Sequence, residues 1–303
     1  MPTLVRGVPR PLCAGLAPRG LGVGFVIGFV ALGAAVLWAA PTGRAQAAAV
    51  SPSTPRTVLV ELFTSQGCSS CPAADAFVRD LPSLGLGRAR VVPLTFHVDY
   101  WNGLGWKDPF SSPAFTDRQQ HYVDAGMLRG PEGHESLSGL YTPQMIVDGA
   151  VHFSGRERDV ARAEIRRAAE RAPVLDLAAT ATLEGDQAHV TARVTPRAPG
   201  GEVSDLRLWV AVVQRSARTN VTHGENGGET LEEAAVVRAL STPVPISLAP
   251  GAPPVRVTVA RPADLPWSAA ELAVVVQSGK TLHVEAAEAV IPSAAATGTG
   301  APK

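Results

Sequence analysis

The tightest constraint on this chain is a junction. A β-branched and apolar run, residues 57–63 (TVLVELF), leads into a Cys-x-x-Cys pair, Cys68 and Cys71, and the pair opens a helix. A continuous β-branched and apolar run suits a strand covered on both faces, as in a parallel sheet. Behind the pair, Cys71, Ala74, Phe77, Val78 and Leu81 recur at helical spacing. Pro72 falls in the first turn, where a missing N–H costs little, and Pro82 stops the helix. Residues 89–98 (ARVVPLTFHV) read as a second buried strand. Ser112-Pro113 reads as the cap and first residue of a helix running towards Asp124, and residues 126–139 as loop. QMIVDG and AVHFSG make two short strands joined at Asp148-Gly149, a hairpin turn. Residues 156–172 form an amphipathic helix with Val160, Ala163, Ile165 and Ala168 inward.

The order is strand, helix, strand, helical insertion, strand, strand, helix. This α/β order is that of a thioredoxin-like core, expected over residues 57–172. From Pro173 helical periodicity gives way to short alternating runs such as LDLAATAT, QAHVTARVT and PVRVTVA. These predict a C-terminal β-rich, sandwich-like domain over 173–292, with a disordered tail at 293–303. Residues 48–56 read as a linker.

Residues 1–47 have arginines, then an uncharged apolar run at 21–40, then Ala45-Gln46-Ala47. Positive start, apolar middle and small-residue exit describe a secretory signal. An uncleaved single-span anchor facing the periplasm is the alternative, and would be the chain's one contact with membrane. Either way the bulk of the chain is expected outside the cytoplasm, periplasmic or extracellular. Cys13 precedes the apolar run, so the exported part keeps Cys68 and Cys71 alone. With 27 basic and 27 acidic residues, the composition offers no polybasic footprint for nucleic acid.

Two thiols this close in an oxidising compartment bond to each other or hold a metal. A helix N-terminus lowers a cysteine pKa, so Cys68 is the expected nucleophile and Cys71 the resolving thiol. Ser69 and Ser70 between them tune the potential. An inert staple is the plain alternative, but closing a loop of four residues contributes only about 2 kcal/mol. Thr142-Pro143 precedes the third core strand; a cis bond there would present the Thr142 backbone to an extended substrate.

VELFTSQGCSSCPAAD, TFHVDYWNGLGWKDPFSSPAFTDRQ and YTPQMIVDG, in this order, resemble the signature blocks of a family of exported bacterial proteins. That family is catalogued as a domain of unknown function with a thioredoxin-like fold. The likeness extends weakly through HGENGGETLEEAAVVRAL, and the loop at 126–139 is longer than the pattern. It implies the fold and little biochemistry. Thioredoxins carry a buried acid near the place of Glu61, seven residues before Cys68, so Glu61 is a candidate for moving protons to Cys71. A strand-end glutamate paired with an arginine is its bland reading. His97, Tyr100 and Trp101 cluster after the second strand, where open α/β sheets bind ligands. His97 would stabilise the thiolate, join a metal site, or rest on a backbone carbonyl; Tyr100 and Trp101 would floor a substrate groove. HGENGGET (223–230) reads as a plain loop.

The expectation is thiol–disulfide exchange on protein substrates, with a redox partner to recycle the pair and no cofactor beyond the redox-active disulfide itself. A metal-binding or metal-delivery protein and a non-catalytic docking module are the rivals.

Overall fold

The structure, a computed structural model, describes residues 56–84, 90–134, 137–198 and 203–294. The segment expected to be a secretory signal, residues 48–55 of the expected linker and residues 295–303 of the expected tail lie outside the described residues.

In chain order the first elements are β1 (Thr57–Thr64), α1 (Pro72–Asp80), β2 (Arg90–His97), α2 (Pro113–Ala125), β3 (Gln144–Val147), β4 (Val151–Ser154) and α3 (Arg158–Glu170). β1 is buried from Val58 onward, as its β-branched and apolar run leads one to expect, with Glu61 and Thr64 buried among the apolar residues. It pairs in parallel with β2 and antiparallel with β3. Asp148 and Gly149, at φ 50° and 62°, supply the positive angles of the three-residue connection between β3 and β4, which the Ala150 N–H closes on the Val147 carbonyl at 3.0 Å. Ser112 caps α2 by accepting the Ala114 N–H at 3.3 Å. On α3 the buried stripe is Ala161, Ile165 and Ala168, while Ala163 is exposed; the i, i+4, i+7 row starts one residue after Val160. α1 and α3 share one face of the sheet, where Arg158 stacks on Phe77 at 5.3 Å and pairs with Asp80. α2 covers the other face, its Phe115 edge-on to Phe96 and Tyr122 edge-on to Phe63.

The second half contributes β5 (Leu175–Glu184), β6 (Gln187–Pro196), β7 (Leu206–Asn220), β8 (Thr230–Leu240), β9 (Val244–Pro245), β10 (Val255–Ala260), β11 (Ala270–Ser278), β12 (Val284–Val290) and β13 (Ser293–Ala294). Four of them form a sheet in the order β10-β6-β5-β13. β13 takes the first two residues of the segment expected to be disordered, and pairs them with β5. The others extend the main sheet, whose order is β12-β11-β7-β8-β2-β1-β3-β4 with β9 attached to β7.

The sheet therefore runs through the division expected at residue 172. β8 meets β2 at Thr95 and Val236, and the Thr95 hydroxyl donates to the Ala234 carbonyl at 2.8 Å. β7 and β11 are apolar on both faces. Leu208, Val210, Val212, Leu272, Val274 and Val276 pack on Val190 and Val257 of the smaller sheet. Their alternates Trp209, Ala211, Val213, Ala273 and Val275 join the core of β1 and β2. Solvating either face would forfeit about 1.5–3 kcal/mol per large side chain, so these strands become a wall shared by two cores. The fold is mixed α/β, a large sheet with few helices among the described residues, and the described residues fall in one unit. No helix among the described residues is long and apolar enough to cross a membrane.

Candidate functional site

Cys68 and Cys71 are joined in a disulfide at the end of β1. The Cys71 N–H closes a turn onto the Cys68 carbonyl, and the Cys71 carbonyl accepts the Ala74 and Asp75 amides. Cys71 is thus the helix cap, and Cys68 lies one turn before the helix rather than at its first residue. Both are buried, 1% and 0% exposed, while Ser69 is exposed and Ser70 half-buried with its hydroxyl 3.3 Å from the Cys68 sulfur. Thr142-Pro143 is cis, and the Thr142 carbonyl oxygen lies 3.9 Å from Cys68 Sγ. Gly155 makes that approach possible: a Cβ there would sit 2.9 Å from Ala74, 3.1 Å from Leu62 and 3.3 Å from Pro143. Trp101 fixes the rim by donating to the Thr142 hydroxyl at 2.9 Å, and Tyr100, 39% exposed, bonds Gln119.

Beneath the cysteine loop lies a buried charge cluster. His97 is fully buried with Nδ1 2.7 Å from Asp108, whose carboxylate also accepts the Gln66 N–H at 2.8 Å. The histidine reaches the cysteine loop through Asp108 rather than touching sulfur. Burial alone would push its imidazole down; Asp108, Glu233 and Asp75 outweigh burial and hold it at about 9. The charge and hydrogen bond of His97, with the Gln66 and Phe110 N–H groups, depress Asp108 despite its own burial.

Asp75, four residues after Cys71, is 5% exposed. Burial raises its carboxyl to about 7, with Glu233 adding to the rise and His97 and the Thr64 hydroxyl opposing it. Oδ2 accepts from Thr64 at 3.2 Å. Oδ1 of Asp75 and Nε2 of His97 have no hydrogen-bond partner among the described residues. Asp75 and Glu233 line a cleft of about 250 Å³ between α1 and β8. Glu233, also buried, is raised by desolvation and bonds Gln66. Among the described residues no three His, Cys, Asp or Glu side chains have a geometry that holds a metal ion.

Glu61 is not brought to the cysteines. Alternation along β1 turns Leu62 and Thr64 towards α1 and sends Glu61 and Phe63 to the α2 face. There the Glu61 carboxylate accepts from Arg118 Nε at 2.7 Å and from the Tyr122 hydroxyl. Arg118 lies over Trp209 at 4.3 Å, so this buried pair ties β1, α2 and β7 together. Parity decides the matter: the acid on the cysteine side is Asp75, which the sequence shows only as a polar residue in a helix's first turn.

The second half of the chain closes the site. Asn226 donates to the carbonyls of Gln66 and Cys68 at 2.9 and 3.0 Å, and Glu225 accepts the Ser69 N–H at 2.9 Å. Trp106 donates to the Gln66 side chain at 3.1 Å. The loop expected to be plain is a brace on the cysteine turn. Its signal was three glycines, of which Gly224 holds φ 78° with Trp106 Cβ only 3.0 Å from where a Cβ would stand.

A crystal structure of an Agrobacterium tumefaciens protein is similar to this chain at 24% identity and TM-score 0.55, covering 81% of this chain and 97% of its own. HBP35 of Porphyromonas gingivalis aligns at 14% identity and TM-score 0.56, covering 83% of this chain and 81% of its own. These likenesses concern the fold. No curated protein matches the chain. The profile of one family, described as protein of unknown function (DUF1223), matches residues 59–277, from the strand before the cysteines to the last residue but one of β11. Because that span takes in the cysteine turn, the cis-proline loop and the Glu225–Asn226 brace alike, the chain belongs to the DUF1223 family.

Proposed function

We propose that the chain is a thiol–disulfide oxidoreductase on a thioredoxin-like core, acting on protein thiols in an exported compartment. The strand order β2-β1-β3-β4, with α1 and α3 together on one face, supports that core. The observation that carries the function is the disulfide at the strand–helix junction, with the Thr142 carbonyl beside Cys68 and a buried acid one turn past Cys71.

A substrate thiolate attacks Cys68 Sγ, and the Cys68–Cys71 bond breaks. Cys71 leaves with the electron pair and takes a proton from Asp75, which is refilled through the cleft. A second substrate thiolate then attacks the substrate sulfur of the mixed disulfide and releases Cys68. The substrate loses two electrons and two protons, and the pair gains them; the reverse sequence reduces a substrate. Backbone groups of Thr142 align the extended substrate, while Trp101 and Tyr100 form the rim. With Cys68 only 1% exposed, attack requires that rim to give way. An unidentified redox partner resets the pair.

The burial of both sulfurs is what favours the competing reading, an inert disulfide in a docking module. Cys71→Ser separates the two. Under the redox reading this variant accumulates mixed disulfides through Cys68 when exposed to oxidised protein substrates, and Cys68→Ser accumulates none. If Cys71→Ser traps nothing and the native disulfide resists thiol reductants in the folded protein, the docking reading stands. Stoichiometric zinc or copper on the reduced protein would instead support metal delivery.

A further inference from the structure

We infer that Glu225 is a positioning residue that suppresses the Cys68 thiolate and so keeps the couple reducing; the inference rests on the redox reading above. The Ser69 amide is the first backbone donor after Cys68, in the turn that leads into α1. A thiolate at Cys68 is stabilised by such amides and by the positive end of the helix. Here that amide is already taken by the Glu225 carboxylate at 2.9 Å. The same bond holds the Glu225 carboxyl below its ordinary value, so at neutral pH an anion is bonded to the amide of the residue that follows Cys68.

The position of Glu225 is built into the loop. Asn226 ties the loop to the Gln66 and Cys68 carbonyls, and Gly228 and Glu229 close it through backbone bonds to Val221 and Asn226. Below the cysteine turn lie His97, Asp108, Asp75 and Glu233, all buried, and the brace loop itself also carries His223 and Glu229, both exposed. Glu225 alone of these reaches from the solvent side onto the turn's own amide. In the couple, the disulfide takes two electrons and two protons to become the dithiol, and ionisation of Cys68 adds stability to the dithiol. An anion that opposes ionisation removes that stability and makes the couple more reducing.

Glu225→Gln keeps an oxygen for the Ser69 N–H and deletes the charge. In the full chain carrying Cys71→Ser, the rate of iodoacetamide alkylation at Cys68 is followed against pH by peptide mass spectrometry. The expected result is a rise of roughly threefold or more in thiolate reactivity at pH 7 in low salt, shrinking at 1 M salt as screening removes the charge effect. Glu229→Gln, a nearby acid not bonded to Ser69, should leave the profile in place. The inference is overturned if Glu225→Gln titrates like its parent, or if Glu229→Gln shifts it equally. Because this background carries a single thiol at the pair, the readout is independent of whether exchange with substrates occurs. Failure of trapping condemns the redox reading, whereas an unmoved alkylation profile condemns the role of Glu225.

Discussion

Replacing Asp75 by asparagine should stabilise the folded protein at pH 8 far more than at pH 5. Asparagine resembles the protonated acid in size and keeps an oxygen for the Thr64 hydroxyl, so it mimics the carboxyl that burial favours. Folding raises this group from 3.8 to about 7, so between those values the folded chain holds a proton that the unfolded chain has released. Stability from this group therefore falls as pH rises through that window, and is spent above pH 7. Between pH 5 and 7 this is about 2 units at about 1.4 kcal/mol each, so the advantage of Asp75→Asn should grow by about 3 kcal/mol from pH 5 to pH 8. Urea unfolding of both proteins with the disulfide intact, followed by tryptophan fluorescence at both pH values, measures the difference directly. Parallel stability curves across that range would refute the assignment of a neutral Asp75. Under the proposed exchange reaction the substitution also removes the group that protonates Cys71, so exchange at pH 7 should slow by roughly 10²-fold while the protein becomes more stable.

Other outcomes follow from the same contacts. Glu61→Gln leaves Arg118 buried without its counter-charge and should destabilise by about 3 kcal/mol in chemical denaturation, with alkylation of Cys68 in a Cys71→Ser background unchanged. If that substitution alters thiol reactivity and spares stability, the two-face assignment of β1 is wrong. Asn226→Ala strips buried bonds from the Gln66 and Cys68 carbonyls and should cost about 2 kcal/mol, with faster amide exchange in residues 66–71. Unchanged exchange there would mean that the loop does not brace the site.

Much of the first half was legible because its signals are local. The β-branched and apolar run of β1, the Ser112-Pro113 cap and the Asp148-Gly149 turn each specify their own backbone through nearby chemistry, and each appears where expected. β8 was not legible. Its sequence TLEEAAVVRAL is rich in residues that favour helices, and it becomes a strand because β7 and β2 offer it partners on both edges. The continuity of the main sheet past residue 172 was hidden for a related reason. Apolar runs on both faces of β7 and β11 announce burial but not what buries them, and only the assembled sheet shows that each face belongs to a different core.

The sequence by itself determined that two cysteines stand at a strand–helix junction, with Thr142-Pro143 leading into the strand on its other edge. Spacing and backbone preference are enough for that. Tertiary structure decided which acids lie on their side of the sheet. Glu61 and Thr64 lie on one strand, but a single step in parity sends Glu61 to Arg118 on the far face and turns Thr64 towards Asp75. Likewise Glu225 and Asn226, more than 150 residues away in the chain, reach Ser69, Gln66 and Cys68 because β7 and β8 place their connecting loop over the cysteine turn. Side-chain facing and long-range pairing depend on how the whole sheet closes, which no local run of residues contains.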